Sequence, residues 1–186
     1  MFAFPVSYEG PVFRPPSEAN SLLIQVTLGC SHNQCTYCGM YRTKKFRMRA
    51  VAEIKYDLEM AKTHYARHHA QPTKIFLCDG DALCAPTDFL LECLHYVHTN
   101  FPDLQRIGTY ATAMNILQKS ENELESLCAR KLNMAYFGPE SGHDKILKMV
   151  VKGNTAQEMI DASLKIKKCG WKLSTILMIG LGGKEM

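Results

Sequence analysis

The 186-residue sequence lacks the features of an exported or membrane-spanning chain. Its first sixteen residues hold four prolines and neither a basic nor an apolar stretch, so no secretory signal is visible. No apolar run approaches the roughly 20 residues that a bilayer crossing requires. Excess charge is also small, since 22 lysines and arginines stand against 18 aspartates and glutamates, which indicates neither a nucleic-acid coat nor an acidic partner. We therefore predict a cytoplasmic protein.

What the sequence does contain is 46% apolar residues, enough to build the packed core of one domain. It also contains eight cysteines, and in the reducing cytosol metal ligation or free thiols are favoured over disulfides. We expect an extended N-terminal arm over residues 1–20 and one domain over residues 21–186.

Strands and helices are predicted to alternate along this domain. The β-rich run 21–28 is followed by apolar residues at helical spacing in 50–69, and the alternation continues to residue 179. Two capping boxes, Ser120 with Glu123 and Thr155 with Glu158, mark helix starts. The predicted strands are 21–28, 74–78, 106–112, 134–138 and 172–179, and the predicted helices are 50–69, 86–98, 120–130, 144–151 and 155–168.

Five strand–helix units at this spacing predict an α/β fold with a parallel sheet and right-handed crossovers. An open doubly wound sheet and an incomplete barrel both satisfy the pattern, and we favour a parallel partial (β/α) barrel. No helix follows the fifth predicted strand to cover it, so we expect the chain to be truncated at its C-terminal end, with the last unit missing.

Three cysteines form a compact motif after the first predicted strand. Cys30, Cys35 and Cys38 have the spacing C-x4-C-x2-C, close enough for three thiolates to bind one metal centre. Iron–sulfur clusters usually take four ligands, so three leave one iron free to bind another molecule. A zinc site with His32 as the fourth ligand is the alternative, although structural zinc more often takes its ligands from two separated pairs. The other five cysteines lack ligand spacing and are interpreted as buried or incidental thiols.

At these residues the sequence resembles the radical SAM superfamily, whose members carry three closely spaced cysteines after the first strand of a partial (β/α)6 barrel. Tyr37 occupies the aromatic position before the last cysteine. The commonest spacing in the superfamily is C-x3-C-x2-C, so this loop has one additional residue. The resemblance implies a [4Fe-4S] cluster held by Cys30, Cys35 and Cys38, with an open iron that binds S-adenosylmethionine (SAM).

The resemblance extends to turns after three later strands. The turn after the second strand stands where the superfamily has a Gly-Gly-Glu-like motif, with Asp81 as the acidic partner of the SAM amino group. The turn after the fourth resembles Gly-x-Glu-Ser-Gly, in which a carboxylate accepts hydrogen bonds from the ribose hydroxyls. The turn after the fifth resembles a region that packs against adenine. Each is otherwise an ordinary turn. The implied cofactor contacts are Tyr37, Gly80, Asp81, Glu140, Ser141, Gly180 and Leu181.

The implied reaction is reductive cleavage of SAM to a 5′-deoxyadenosyl radical, which abstracts hydrogen from a substrate that the sequence does not identify. An external electron donor of the flavodoxin or ferredoxin type is implied as a partner. Within the superfamily, the turns are most similar to those of the division that contains oxygen-independent coproporphyrinogen oxidase, methylthiotransferases and Elp3-type proteins.

Two alternatives stay open, a zinc-bearing binding module and an iron–sulfur electron carrier. The module is considered because residues 41–49 combine five cations with two aromatic rings, a composition that can bind RNA. A solvated basic loop is the simpler interpretation of this segment. Its charge also suits a position beside an anionic thiolate cluster, whose reduction potential it would raise.

Overall fold

The computed structural model describes residues 5–183 of the chain, so the first four residues of the predicted arm and the last three of the predicted domain lie outside the described residues. The strands are β1 (Leu22–Gln25), β2 (Thr27–Leu28), β3 (Arg47–Met48), β4 (Lys74–Cys78), β5 (Arg106–Ala111), β6 (Leu132–Glu140) and β7 (Lys172–Leu177). The helices are α1 (Val51–Arg67), α2 (Thr87–Asn100), α3 (Ala113–Gln118), α4 (Glu121–Ala129), α5 (Asp144–Met149) and α6 (Ala156–Lys168). Within this range, none of the helices has the length and apolar character that crossing a bilayer requires.

Five of the strands form one parallel sheet in the order β1-β4-β5-β6-β7. Every pair of neighbouring strands in it is parallel and is connected through at least one helix. The predicted alternation and the predicted parallel sheet are therefore confirmed. Because all five strands run the same way, their carboxyl ends meet at one edge of the sheet, where parallel α/β folds place their ligands.

One face of the sheet is covered by helices. In β4 the side chains of Ile75 and Leu77 point to this face and join a core formed with buried residues of α1, α2, α3, α4 and α6. Phe76 and Cys78 alternate to the opposite face, as the two-residue period of a strand requires. β4 is therefore buried on both faces, which explains why its sequence is a continuous apolar run.

The opposite face is covered in part by the N-terminal arm. Tyr8 and Val12 pack against the side chains that β1, β4 and β6 present there. The arm then ends in a 3-10 turn, Pro16–Glu18, whose fully buried Glu18 carboxylate accepts hydrogen bonds from Arg106 Nη2 at 2.6 Å and from the Tyr136 hydroxyl. In the described part of the chain, the arm thus covers part of the sheet face that lies opposite the helices.

Two features of the chain differ from the prediction. The predicted strand 21–28 breaks at Val26 into β1 and β2, and β2 pairs with β3 in a separate antiparallel ribbon. Helix α3 was not predicted, because six residues are too short to show helical periodicity. The other predicted elements are present with ends that differ by at most two residues, and both predicted capping boxes are confirmed.

Candidate active site

A cavity of about 370 Å³ opens at the carboxyl edge of the parallel sheet. Its walls come from the segment that follows β2, from the turn after β4, and from the ends of β5, β6 and β7. The residues that line it include Cys30, His32, Asn33, Cys35, Tyr37, Cys38, Tyr41, Gly80, Tyr110, Tyr136, Gly138, Glu140, Lys152, Ile176 and Met178.

The cavity brings together six of the ten site residues predicted from the sequence. These are Cys30, Cys35, Tyr37, Cys38, Gly80 and Glu140. The other four lie outside the cavity lining found in residues 5–183. These are Asp81, Ser141, Gly180 and Leu181. The three cysteines therefore line the same cavity.

The first cysteine is held by the turn after β4. The fully buried Asp81 carboxylate accepts hydrogen bonds from the Ser31 backbone N–H at 3.0 Å and from the Ser31 hydroxyl. The pKa of Asp81 is raised above its usual value, because the effect of burial outweighs the opposing effect of the hydrogen bonds from Ser31. Asp81 therefore contacts the cysteine loop in this structure, whereas the sequence predicted a contact with SAM.

Gly80 allows this turn to approach the loop closely. A Cβ on Gly80 would lie 2.7 Å from the Cβ of Cys30 and 3.0 Å from the Tyr41 ring, so no larger residue fits without a shift of its neighbours. Next to it, the buried Asp79 carboxylate accepts hydrogen bonds from Gly29 N at 2.9 Å and from Lys44 Nζ at 2.7 Å. Gly80 thus permits a close approach between this turn and the cysteine loop, while its contact with the cofactor stays a prediction.

The additional residue between the first two cysteines is accommodated at His32 and Asn33. Asn33 has a φ of 42°, in the left-handed region that asparagine tolerates, and its Nδ2 donates to Tyr41 O at 3.0 Å. His32 Nε2 lies 2.7 Å from Val151 O, and Thr36 N donates to Val150 O at 3.0 Å. The longer loop is therefore fastened to the segment after α5.

The structure does not place His32 as the fourth ligand of a zinc site. Zinc takes four ligand atoms directly, with Zn–N bonds of about 2.0–2.1 Å. The His32 ring instead contacts a backbone carbonyl, with Nε2 at 2.7 Å from Val151 O, and within residues 5–183 no three His, Cys, Asp or Glu side chains are grouped to hold a metal ion. The three cysteines line the same cavity, and thiolates are the usual ligands of iron–sulfur clusters.

One wall of the cavity carries a charged pair. Lys152 Nζ lies 3.3 Å from Glu140 Oε1 and donates to the Tyr37 hydroxyl at 3.0 Å. Glu140 has a φ of 64°, and its carboxylate folds back over Gly138, where a Cβ would collide with it. Burial, followed by the Glu140 charge, raises the pKa of Tyr37, which keeps its hydroxyl protonated. The three side chains join the cysteine loop to the end of β6.

Lys152 is a charged cavity residue that the sequence did not indicate. It follows α5 and lies twelve residues beyond Glu140, a separation that no short motif connects. Nothing in its local sequence distinguishes it from Lys145 or Lys148 in the preceding helix. Only the return of the chain past the cysteine loop places it at the cavity.

The turn after β7 lies beside the cavity mouth. Ile176 and Met178 line the cavity, and Met178 N donates to Glu140 O at 3.0 Å. The next residues form a turn in which Gly183 N donates to Gly180 O at 3.0 Å. Gly180 and Leu181 follow Met178 in sequence and are not among the residues that line the cavity.

Fold and site together define an α/β domain that carries a three-cysteine site at the carboxyl edge of its parallel sheet. Residues 24–186 match the family described as the Radical SAM superfamily. The chain therefore belongs to the radical SAM superfamily, whose members bind a [4Fe-4S] cluster and SAM.

Solved structures of radical SAM enzymes share this fold. The cobalamin-dependent enzyme OxsB matches with a TM-score of 0.68 at 15% identity, over 82% of this chain and 23% of OxsB. Coproporphyrinogen III oxidase (HemN) from Escherichia coli matches with a TM-score of 0.62 at 16% identity, over 84% of this chain and 36% of that enzyme. The methyltransferase TsrM from Kitasatospora setae, solved with cobalamin and a [4Fe-4S] cluster, matches with a TM-score of 0.60 at 15% identity, over 82% and 30%.

At such low sequence identity, these structural matches show the fold alone. They confirm the predicted partial barrel. The chain matches between 23% and 36% of the length of these three enzymes. No curated protein matches the chain in sequence.

Proposed function

We propose that this chain is the SAM-binding core of a radical SAM enzyme, with Cys30, Cys35 and Cys38 as the cluster ligands. The observation that carries the proposal is that three cysteines spaced C-x4-C-x2-C line one cavity at the carboxyl edge of the sheet. When bound, a [4Fe-4S] cluster would supply the electron that splits SAM into methionine and a 5′-deoxyadenosyl radical. The hydrogen donor is an unidentified substrate, and the electron would come from an external carrier protein.

The charged wall supports a role in orienting SAM. Lys152 and Glu140 are largely buried, with 14% and 10% of their side chains exposed, so their charges act in a medium less polar than water. We assign the SAM carboxylate to the Lys152 ammonium, because an ammonium is a strong donor to a carboxylate. Glu140 stays the proposed acceptor of the ribose hydroxyls, which is the role that the sequence predicted. Tyr37 and Gly80 complete the proposed contacts in the cavity lining.

The remaining predicted contacts are proposed in modified form. Asp81 acts through Ser31 by fixing the backbone beside Cys30. Ser141 accepts a hydrogen bond from His143 N at 3.2 Å, which shapes the turn after Glu140. The turn at Gly180 and Leu181 stays the predicted adenine contact.

The proposal is tested by anaerobic reconstitution with iron and sulfide, followed by dithionite and SAM, with 5′-deoxyadenosine and bound iron as readouts. We expect the wild-type chain to bind about four irons and to form 5′-deoxyadenosine. Cys35→Ala should lose both, whereas Cys128→Ala, which removes a half-buried thiol on α4, should keep both.

Two outcomes would contradict the proposal. Tightly bound zinc with no cluster would indicate the zinc-bearing module. A stable cluster that never cleaves SAM would indicate an electron carrier.

The assignment of Lys152 has its own test. Lys152→Met should weaken SAM binding to the reconstituted protein by about tenfold or more, since a hydrogen bond to a charged group contributes about 1.5–3 kcal/mol. Lys148→Met is the matched control, because Lys148 is an exposed lysine of α5 that does not line the cavity. Equal affinities for the two variants in calorimetric titration would refute the assignment.

A further inference from the structure

One arginine braces the backbone turn that carries the second and third cysteines. Arg42 Nη2 donates to Cys35 O at 2.6 Å, and Arg42 Nε donates to Cys38 O at 3.1 Å. The turn is closed from within by a hydrogen bond of 3.1 Å from Cys38 N to Cys35 O. A single guanidinium group therefore joins the backbone carbonyls of two proposed cluster ligands.

Arg42 differs from the other cations of residues 41–49 in what it contacts. Lys44 pairs with Asp79, and Arg49 pairs with Asp57. Arg47 pairs with two glutamates on the protein surface. Arg42 has no carboxylate within ion-pair distance in the described part of the chain, and its side chain is exposed. Its positive charge is therefore not neutralised by a neighbouring acid.

We propose that Arg42 is a positioning residue of the cysteine loop, which fixes the C-x2-C turn and places a positive charge beside its thiolates. The proposal rests on the proposed function. The planar guanidinium donates in a fixed fork, which a lysine cannot reproduce. Partners that orient metal ligands contribute about tenfold to a hundredfold in metal affinity. Positive charge near an iron–sulfur cluster favours its reduced form, so Arg42 raises the reduction potential.

Three variants separate the fork from the charge. Arg42→Lys keeps the charge and loses the fork, and Arg42→Gln loses both. Lys45→Gln is the matched control, because it removes an exposed cation from the same segment without disturbing a bond to the cysteine carbonyls. All three substitutions affect exposed side chains, so we expect the chain to fold in each case.

Two measurements on the reconstituted protein and one on the cluster-free protein test the proposal. Both Arg42 variants should lose the cluster to a chelator about tenfold faster than the wild type or Lys45→Gln. The midpoint potential, followed by electron paramagnetic resonance, should fall in Arg42→Gln and stay near the wild-type value in Arg42→Lys. Amide hydrogens of residues 35–42 should exchange faster in both Arg42 variants without any cluster present.

Two results would overturn the inference. Amide exchange in the Arg42 variants equal to that of Lys45→Gln would show that the fork does not fix the turn. Equal shifts of potential in Arg42→Gln and Lys45→Gln would show that the position of Arg42 beside the thiolates has no special effect. A wild-type chain that takes up no cluster would contradict the proposed function instead, and the exchange measurement would still decide whether Arg42 fixes the turn.

Discussion

Strands β4 and β7 belong to the same parallel sheet and both begin with lysine, yet they differ sharply in burial. The four residues of β4 after its lysine are at most 1% exposed, whereas Leu177 and Ile176 of β7 are 66% and 42% exposed. β4 lies between two other strands and has the helices on one face and the arm on the other. β7 pairs with β6 alone in the described part of the chain. The apolar sequence of a segment therefore predicts that it forms a strand. How deeply the strand is buried depends on which strands, helices or loops cover it.

A related difference separates two parts of the cavity lining. The cysteine loop is itself half-buried to exposed, but the buried carboxylates of Asp79 and Asp81 accept hydrogen bonds from its backbone. Ile176 and Met178 belong to the exposed end of β7 and the residues after it, and Met178 is 40% exposed. The cysteine side of the cavity is thus bonded to buried carboxylates, whereas the side formed by β7 is open to solvent.

Leu77 and Leu177 give the largest expected contrast, since they are matched leucines on the two strands. Leu77→Ala should lower the free energy of unfolding by about 3 kcal/mol, because it removes a 1% exposed side chain from the core and leaves a cavity. Leu177→Ala should change it by less than about 0.5 kcal/mol. Urea denaturation of both variants checks this, and equal effects would show that β7 is buried in solution.

The covering arm provides the next largest effect. Glu18→Gln should lower the free energy of unfolding by about 2 kcal/mol, because the fully buried carboxylate bonds to Arg106 and Tyr136. The control is Glu9→Gln, whose 55% exposed side chain pairs with Arg47 on the surface and should contribute less than about 0.5 kcal/mol. If thermal unfolding shifts equally in the two variants, the arm does not stabilise the sheet through Glu18.

The two capping boxes give the smallest contrast. Hydrogen bonds from Ser120 N and then the Thr87 hydroxyl lower the pKa of Glu123 from 4.5 to about 2, and hydrogen bonds from Thr155 lower that of Glu158. Glu123→Gln should cost up to about 1 kcal/mol at neutral pH, because glutamine can keep the capping box but loses the negative charge at the helix N-terminus. Glu158→Gln should cost less, because Glu123 also accepts a hydrogen bond from Thr87 of α2, and residues 5–183 offer Glu158 no such partner on a second helix.

The sign of the pH dependence follows from these lowered pKa values. Each carboxylate is ionised in the folded protein at pH values where it would be protonated in the unfolded chain. Its contribution is therefore fully present above about pH 4.5 and is lost as the pH falls toward 2. The difference between wild type and Glu123→Gln should shrink between pH 7 and pH 3, and a difference that grows would contradict the assigned hydrogen bonds.

Much of this fold was predictable because local signals marked it. Apolar runs bounded by turns located the five parallel strands, and capping residues located α4 and α6 to within one residue. The break at Val26 was not predictable, because residues 22–28 contain no glycine or proline that would mark it. After the break, β2 pairs with the distant segment Arg47–Met48 instead of continuing in the main sheet.

The site was predictable where its residues are adjacent in sequence. The spacing of Cys30, Cys35 and Cys38 located one wall of the cavity. The sequence did not indicate a role for Lys152, because its contact with Tyr37 joins residues that are 115 positions apart. The bonds from Ser31 to Asp81 were not predictable, because a sequence motif does not determine side-chain direction, and the contact of Asp81 with SAM stays a prediction.

The contacts of the basic segment 41–49 also bear on RNA as a partner. Lys44, Arg47 and Arg49 are engaged by carboxylates, which leaves Arg42 and Lys45 as the cations without an acidic partner among residues 5–183. Protein–nucleic acid affinity depends on counterions released from phosphates, with a log–log slope of about −0.7 to −0.9 for each phosphate neutralised. Two free cations limit the slope for this segment to about −2, so any RNA affinity that it provides would fall only about tenfold between 50 and 200 mM salt.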